Sequence, residues 1–225
     1  MTLVDVIIPS KSNYINLYCL VDFLLKDPLV DSIIVVSDGK NSWEHHNKNM
    51  FGIKLFMVEE GSGIHKMWNL GLENVNQDNH ILFLNDDVGI NESTISGMVS
   101  TLDKYSKLGI VCPNYSGKKI YSEYRPVYDT CSGRYDGTGG LGGFCMMLKN
   151  SLVSHWKFDE RLIWWYGDDD IVLWVTKTMN MIAAICANST CADNESWTIN
   201  NDPPKNFYSD VINDKIVFYE KWSDK

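Results

Sequence analysis

No stretch of the 225 residues is apolar for long enough to cross a bilayer. The opening, Met1-Thr2-Leu3-Val4-Asp5, lacks the basic segment, apolar run and small-residue cleavage site of a secretory leader. Six cysteines (Cys19, Cys112, Cys131, Cys145, Cys186, Cys191) form no CxxC pair. That spacing argues against a zinc site or a disulfide framework, so reduced thiols in a cytoplasmic protein are expected. Positive charge is also short, with 20 Lys and Arg against 29 Asp and Glu, a formal net charge of -9. Without a broad basic surface no nucleic-acid partner is expected, although a metal ion can still bring a small phosphate compound to an acidic chain. No internal repeat or low-complexity segment is present, and the Walker lysine-serine pair of a phosphate loop is missing.

What is there suits one α/β domain with a real core, since 44% of the residues are hydrophobic. Short apolar runs alternate with amphipathic stretches through the first half. Residues 4–8, 32–36, 53–58 and 81–84 read as strands, the first closed by Pro9. Residues 14–26 and 63–74 read as helices between them. This order predicts a mostly parallel sheet flanked by helices, with ligands collecting beyond the carboxyl ends of its strands. Those ends carry Pro9-Ser10-Lys11, Ser37-Asp38-Gly39, Glu59-Glu60-Gly61 and Asn85-Asp86-Asp87. In the second half, residues 115–134 read as an irregular loop or edge hairpin, 144–148 as a strand and 171–179 as a helix. The polar tail, 203–225, is expected to fold back as a short helix.

Two acidic clusters carry the chemistry. Asn85-Asp86-Asp87 fits a turn after a strand, where Asn and Asp bond their own backbone. Its place on the sheet's carboxyl edge equally suits oxygen ligands for Mg²⁺ or Mn²⁺. Asp168-Asp169-Asp170 precedes a helix and can cap it, which accounts for one carboxylate better than for three. Crowded carboxylates raise one another's pKa, which suits a general base. Beside them, Trp164, Trp165 and Tyr166 offer flat surfaces either for sugar rings or for the core. Gly63 can bring backbone amides near a phosphate at a helix start. His65 and Lys66 follow at expected surface positions, Lys66 being a candidate diphosphate contact, while His45 and His46 receive no role.

Together these segments resemble family-2 glycosyltransferases of the GT-A (nucleotide-diphospho-sugar transferase) fold over roughly residues 4–175. The residues that carry the likeness are the Val4–Ser10 strand, Val35-Val36-Ser37-Asp38-Gly39, Gly63 with Asn69-Leu70-Gly71, and Leu84-Asn85-Asp86-Asp87 as a DxD-type motif. Gly140 to Phe144, Phe158-Asp159-Glu160 and Tyr166-Gly167-Asp168-Asp169 add an acceptor-side block. The resemblance implies one domain over 1–225, with a nucleotide half (about 1–112), an acceptor half (about 113–200) and a tail (about 201–225). It implies a metal-dependent, inverting transferase that moves a sugar from a nucleoside-diphosphate donor, UDP-type favoured, to a hydroxyl acceptor expected to be a carbohydrate. Mn²⁺ or Mg²⁺ would sit on Asp87, Asp86 and Asn85. Pro9, Ser10, Asp38, Gly63, Lys66, Asn69 and Asp86 would contact the donor, with Asp38 on the base. Asp169 would be the base catalyst, Asp168 its partner, and Trp164, Trp165 and Tyr166 the acceptor surface.

The pattern departs from the family in four places. Asn85 replaces the first DxD acid, Trp68 replaces an Arg, and Asp170-Ile171 breaks the expected alternation. The last histidine is His155, so Asp193 or Glu195 is left as a substitute for a late metal ligand. Lys221-Trp222 resembles a tail that folds over the donor. A nucleotidyltransferase of related fold, or an inert carbohydrate-binding module on the same scaffold, are the competing readings.

Overall fold

Runs rich in Val, Ile, Leu and Phe form β1 (Val4–Ser10), β2 (Val30–Asp38), β3 (Ile53–Val58) and β4 (His80–Leu84). Strands covered on both faces lose the apolar-polar alternation, and every residue of β1 and β4 is buried. The computed structural model describes residues 1–11, 14–39, 52–127, 140–193, 200 and 203–223. Further along lie β6 (Leu108–Pro113), β7 (Tyr124–Val127), β8 (Cys145–Leu148) and β9 (Ile182–Cys186). The eight strands make one sheet in the order β3-β2-β1-β4-β8-β6-β9-β7. β1 to β4 run parallel, β8 lies antiparallel between β4 and β6, β9 is parallel to β6, and β7 closes the edge antiparallel. A small second sheet pairs β5 (Val88–Ile90) antiparallel with β10 (Cys191–Asp193).

Helices cover both faces. α1 (Tyr14–Leu24) and α3 (Glu92–Lys104) press Leu17, Val21, Ile95 and Met98 onto one side of the sheet with Val6, Ile8 and Leu82. α2 (Ile64–Leu72) and α5 (Gly167–Leu173) press Trp68 and Ile171 onto the other side with Ile7 and Phe83. The alternation of Val6, Ile7 and Ile8 between the two clusters is the period-two geometry of a strand. A short α4 (Asn150–Val153) follows β8, a π-helical turn (Trp174–Thr178) follows α5, and α6 (Phe207–Trp222) ends the described chain.

Several boundaries differ from the sequence reading. β1 continues through Pro9 to Ser10, because it pairs with β4 only as far as Ile7. Past Ile7 one edge is open, and a residue without an N–H is tolerated there. α5 begins at Gly167, so all three acids lie in its first turn. The tail is a 16-residue helix rather than a short one. α3, which the sequence did not suggest, contains five Ser or Thr and one Gly, a weak helix composition. Its Asn91 cap compensates, the side chain accepting from Ser93 N–H at 2.9 Å while Asn91 N–H donates to Thr94 Oγ1 at 2.9 Å.

α2 can lie close against β1 only because Gly71 has no side chain; a Cβ there would overlap Cγ2 of Ile7. Gly71→Ala is expected to destabilise the protein by about 1–3 kcal/mol, the usual cost of overpacking a filled core. Urea unfolding followed by circular dichroism measures this, and a midpoint equal to the parent's would contradict the close packing.

Candidate active site

β2 and β3 lie on one side of β1 and β4 on the other. Connections therefore reverse between β1 and β4, and open α/β sheets take ligands at such a reversal. Ser10 ends β1 and Asp86 follows β4, and the Ser10 hydroxyl donates to Asp86 Oδ2 across the gap at 2.6 Å. Asn85 N–H leaves the sheet to donate to Phe144 C=O at 2.9 Å, turning the chain towards β5. Asp86 and Asp87 are 5% and 6% exposed. Burial pushes the Asp86 carboxyl up to about 7, with the Ser10 hydroxyl pulling against it and the Asp87 charge adding to it. Asn85 Oδ1 is buried and has no hydrogen-bond partner among the described residues.

The neighbouring tip belongs to Asp38, at the end of β2 and level with the end of β1, where Ser10 pairs with Ser37. Asp38 Oδ1 accepts Gly61 N–H at 2.8 Å, which ties the β2 tip to the turn after β3. Its Oδ2 is buried without a partner among the described residues. Burial raises the Asp38 pKa, while the Gly61 and Ser62 amides and the nearby Lys11 charge lower it. Pro9, Ser10, Asp38 and Asn85-Asp86-Asp87 thus gather on one edge, as the strand pattern predicts.

The second acidic cluster fills the first turn of α5, and its three members have different surroundings. Asp170 is fully buried and accepts from Lys221 Nζ at 2.8 Å and Trp222 Nε1 at 2.8 Å. It ties α5 to α6, so Lys221 and Trp222 grip the acidic helix where the resemblance had them folding over the donor. Asp168 Oδ1 accepts Asp169 N–H at 3.0 Å. Burial of the carboxyl raises the Asp168 pKa, countered by the backbone N–H groups of Asp169, Asp168 and Gly143. Asp169 is 4% exposed. A Cβ at Gly143 would stand 2.9 Å from Asp168 Oδ2. Gly143 therefore meets Asp168 while the next residue, Phe144, holds Asn85, and a two-residue segment touches both acidic clusters.

Residues 162–167 lead into α5 between two helices. On one side Ile64 N–H donates to Ile163 C=O at 2.9 Å, and Gly63, with φ 86°, leaves no room for a side chain against Ile163. His65 Nδ1 donates to Leu162 C=O at 2.6 Å, and a Cβ at Gly167 would overlap its ring. His65 is buried, not at the surface as its neighbourhood suggested, and burial lowers its pKa to about 4, so the ring is neutral. On the other side α6 supplies Asp214, Asp210 and a Phe218 ring stacked on Tyr166. Trp164 Nε1 donates to Asp210 at 3.2 Å, Trp165 is 41% exposed, and Tyr166 sits in the left-handed region at φ 67°.

Two expected donor contacts lie elsewhere. The Asn69 amide donates to Phe158 C=O and Glu160 Oε1, both at 2.9 Å, and accepts Phe158 N–H at 2.8 Å. Both of its N–H donors and one lone pair of its oxygen fasten α2 to residues 158–160. Lys66 is exposed, and its charge lowers the pKa of Glu160. Trp68, in the place of an Arg, is a core residue against Phe83 and Phe158. Among the described residues no three His, Cys, Asp or Glu side chains form a metal-holding group. β10 sets the Asp193 backbone opposite Val88, one residue beyond Asp87, but its side chain, like Glu195, His45 and His46, lies outside the described residues. The sequence reading missed Asp214. Its signal was an acid on the apolar stripe of Phe207, Val217, Phe218 and Trp222.

The family model described as Glycosyl transferase family 2 matches residues 5–172. No curated protein matches the sequence. Among solved structures, the S. aureus TarS 1-349 crystal structure aligns with a TM-score of 0.60 at 16% identity, over 85% of this chain and 60% of that one. The structure of GalNAc-T7 with UDP, GalNAc and Mn²⁺ aligns with a TM-score of 0.66 at 13% identity, over 99% of this chain and 51% of that one. The present chain therefore spans about half to three-fifths of their length. The likeness shows the GT-A fold: a large, mostly parallel sheet flanked by helices.

A raised carboxyl pKa has a direct consequence for stability. Asp86 holds its proton more tightly folded than unfolded, so its contribution is fully present below about pH 4 and is lost as the pH rises through about 7. Melting curves between pH 5 and pH 8 should show the parent losing at least about 3 °C more than Asp86→Asn, at a few degrees per kcal/mol for a chain of this size. Parallel pH profiles would contradict a buried, proton-holding Asp86.

Proposed function

We infer that this chain, which belongs to glycosyl transferase family 2, moves a sugar from a nucleoside-diphosphate donor to a hydroxyl group on an acceptor, expected to be a carbohydrate. One observation carries the reading: a single backbone segment touches both acidic clusters, Gly143 against Asp168 and Phe144 C=O on Asn85 N–H at 2.9 Å. A donor at the sheet reversal and an acceptor activated at α5 are then neighbours, and holding reactants together accounts for much of a transfer enzyme's acceleration.

Each residue has a task in this reading. Asp38 keeps an acceptor oxygen without a donor among the described residues. A base with an N–H at its edge, as uracil has, would supply that donor, with Pro9 and Ser10 beside it. Asp87, Asp86 and Asn85 offer oxygen ligands at a buried tip, and the unpartnered Asn85 Oδ1 fits such a role. A divalent ion held there, Mn²⁺ or Mg²⁺, would neutralise charge on the departing diphosphate. Few protein ligands suffice for such an ion when substrate phosphates complete its shell. Gly63 opens α2 on the donor side, and Lys66, exposed on the same helix, would have to swing to reach a phosphate.

Asp169 takes the proton from the acceptor hydroxyl as the oxygen attacks the anomeric carbon from the face opposite the leaving group, inverting that centre. Asp168, whose pKa burial also raises, orients the hydroxyl or tunes Asp169. Trp164, Trp165 and Tyr166 line the acceptor side, Trp165 with its exposed ring available to a sugar face. The chain works as one domain, with donor half (about 1–112), acceptor half (about 113–200) and tail (about 201–225). No described helix is long and apolar enough to cross a membrane, which fits the proposed cytoplasmic setting.

Incubation with UDP-, GDP- and dTDP-sugars and Mn²⁺ is expected to release nucleoside diphosphate from at least one donor, the UDP-sugars first. Asp169→Asn should then lower turnover by about 10²–10⁴-fold, the usual worth of a general base, with donor affinity unchanged. Equal turnover in parent and variant would remove Asp169 from the role of base, and donor binding with no turnover in the parent would instead mark a binding module on this scaffold. Nucleotide that neither reacts nor raises the melting temperature would end the reading.

A further inference from the structure

The proposed chemistry needs Asp168 and Asp169 held in register, and the strongest unexplained feature near them is a carboxylate on the tail helix. Asp214 is fully buried in the middle of α6. Its Oδ1 accepts Ile163 N–H at 2.8 Å, and its Oδ2 accepts Trp164 N–H at 2.8 Å and Trp165 N–H at 2.9 Å. Three successive backbone amides converging on one carboxylate force the chain to curl around it, as nests of N–H groups curl around bound anions. The three donors also explain why an acid interrupts an apolar helix face: both of its oxygens are taken up by backbone N–H groups.

The curl leads straight to the acidic helix. Tyr166, the next residue, is left-handed, and its C=O accepts Asp170 N–H at 2.8 Å to open α5. A left-handed non-glycine residue persists only where its surroundings hold it. Here the Phe218 ring from the same tail helix stacks on Tyr166 at 5.0 Å. Lys221 and Trp222, two turns beyond Asp214, fix Asp170 itself. The tail helix therefore grips the segment at the curl, at the left-handed residue and at the third acid.

We propose that Asp214 is a positioning residue: it fixes the curl at residues 163–165 and thereby sets the register of Asp168 and Asp169 for proton transfer, without touching donor or acceptor. The proposal rests on the sugar-transfer reading above. It departs from that reading's expectation for the tail, whose Lys221 and Trp222 act from behind the acidic helix.

Asp214→Asn keeps the shape but turns an N–H donor towards backbone N–H groups. Three measurements on the full chain test it. Hydrogen–deuterium exchange should show the amides of Ile163, Trp164 and Trp165 losing protection while those of β1 and β4 keep theirs. Hydrolysis of a UDP-sugar with Mn²⁺, water serving as acceptor, should fall in kcat by about 100-fold, the scale of a misplacement near 1 Å. Calorimetric UDP–Mn²⁺ affinity and the donor KM should stay within about twofold of the parent, as expected when only a transition-state contact is lost. Should Asp214→Asn fail to fold, Asp210→Ala, which removes the acceptor of the Trp164 indole N–H, is expected to repeat the kcat loss on a smaller scale, and an unchanged kcat there would equally overturn the proposal. Exchange protection that survives in Asp214→Asn, unchanged kcat, or a donor KM that rises along with the loss of kcat would each overturn the proposal. A parent that neither binds UDP nor hydrolyses any UDP-sugar would instead overturn the underlying reading, and this proposal with it.

Discussion

Taking a carboxylate out of water costs several kcal/mol unless N–H groups, hydroxyls or cations take the water's place, and this acidic chain buries Asp5, Asp38, Asp86, Asp87, Asp169, Asp170 and Asp214. How each is compensated divides the molecule. Asp5, at the amino end of β1, accepts Asn76 N–H at 2.6 Å and Asn79 Nδ2 at 2.8 Å. Asp214 has three amides, and Asp170 an ammonium and an indole N–H. These three are structural joints, well supplied with donors. At the carboxyl edge the supply is thinner: Asp38 has an oxygen with no partner among the described residues, and Asp86 has the Ser10 hydroxyl and its own backbone N–H while Asp87 repels it. Buried groups left short of partners are unusual in native proteins and tend to mark places where a ligand completes the set.

The same constraint accounts for the glycines around residues 162–167. α2 must come close enough for main-chain atoms to be donors and acceptors, and a side chain at Gly63 or Gly167 would hold it away, while one at Gly143 would press on Asp168. His65 completes the arrangement from α2. As a neutral ring it can donate to Leu162 C=O while lying among Trp68 and Phe158, which a charged ring could do only at high cost. The β4 tip and the acidic helix are likewise braced against a shared piece of backbone, Gly143 and Phe144.

Strands β1 to β4 were legible because their sequences obey one rule: buried parallel strands are continuous apolar runs with polar tips. That rule placed Ser10, Asp38 and Asn85-Asp86-Asp87 on one edge. α3 was not legible, since its stability comes from burying Ile95, Met98, Val99 and Leu102 and from the Asn91 cap, not from helix-forming composition. The tether made by Asn69 was hidden for a related reason. Its residue type fits a ligand contact and a buried tether equally well, and the bonds to Phe158 and Glu160 appear only in the structure. Asp214 showed only as an acid on an apolar helix stripe, and its partners stayed hidden because they are main-chain amides, which leave no trace in residue identity.

Two departures from the family pattern follow from the charge constraint. Asn85 N–H is bound to Phe144 and its side-chain oxygen is buried. An acid in its place would add a third buried charge beside Asp86 and Asp87, and Asp86 is already pushed up to about 7. An amide keeps an oxygen ligand at that point without the added repulsion. Asp170 is the opposite case, a charge added where a cation is at hand: Lys221 reaches both Asp170, at 2.8 Å, and Asp159, at 3.7 Å. Removing one member of such a buried pair typically costs about 3–5 kcal/mol. The extra acid of α5 and the Lys-Trp tail are therefore one feature seen at two places in the chain, and a residue that breaks the expected pattern at 170 is explained by the helix that ends at 222.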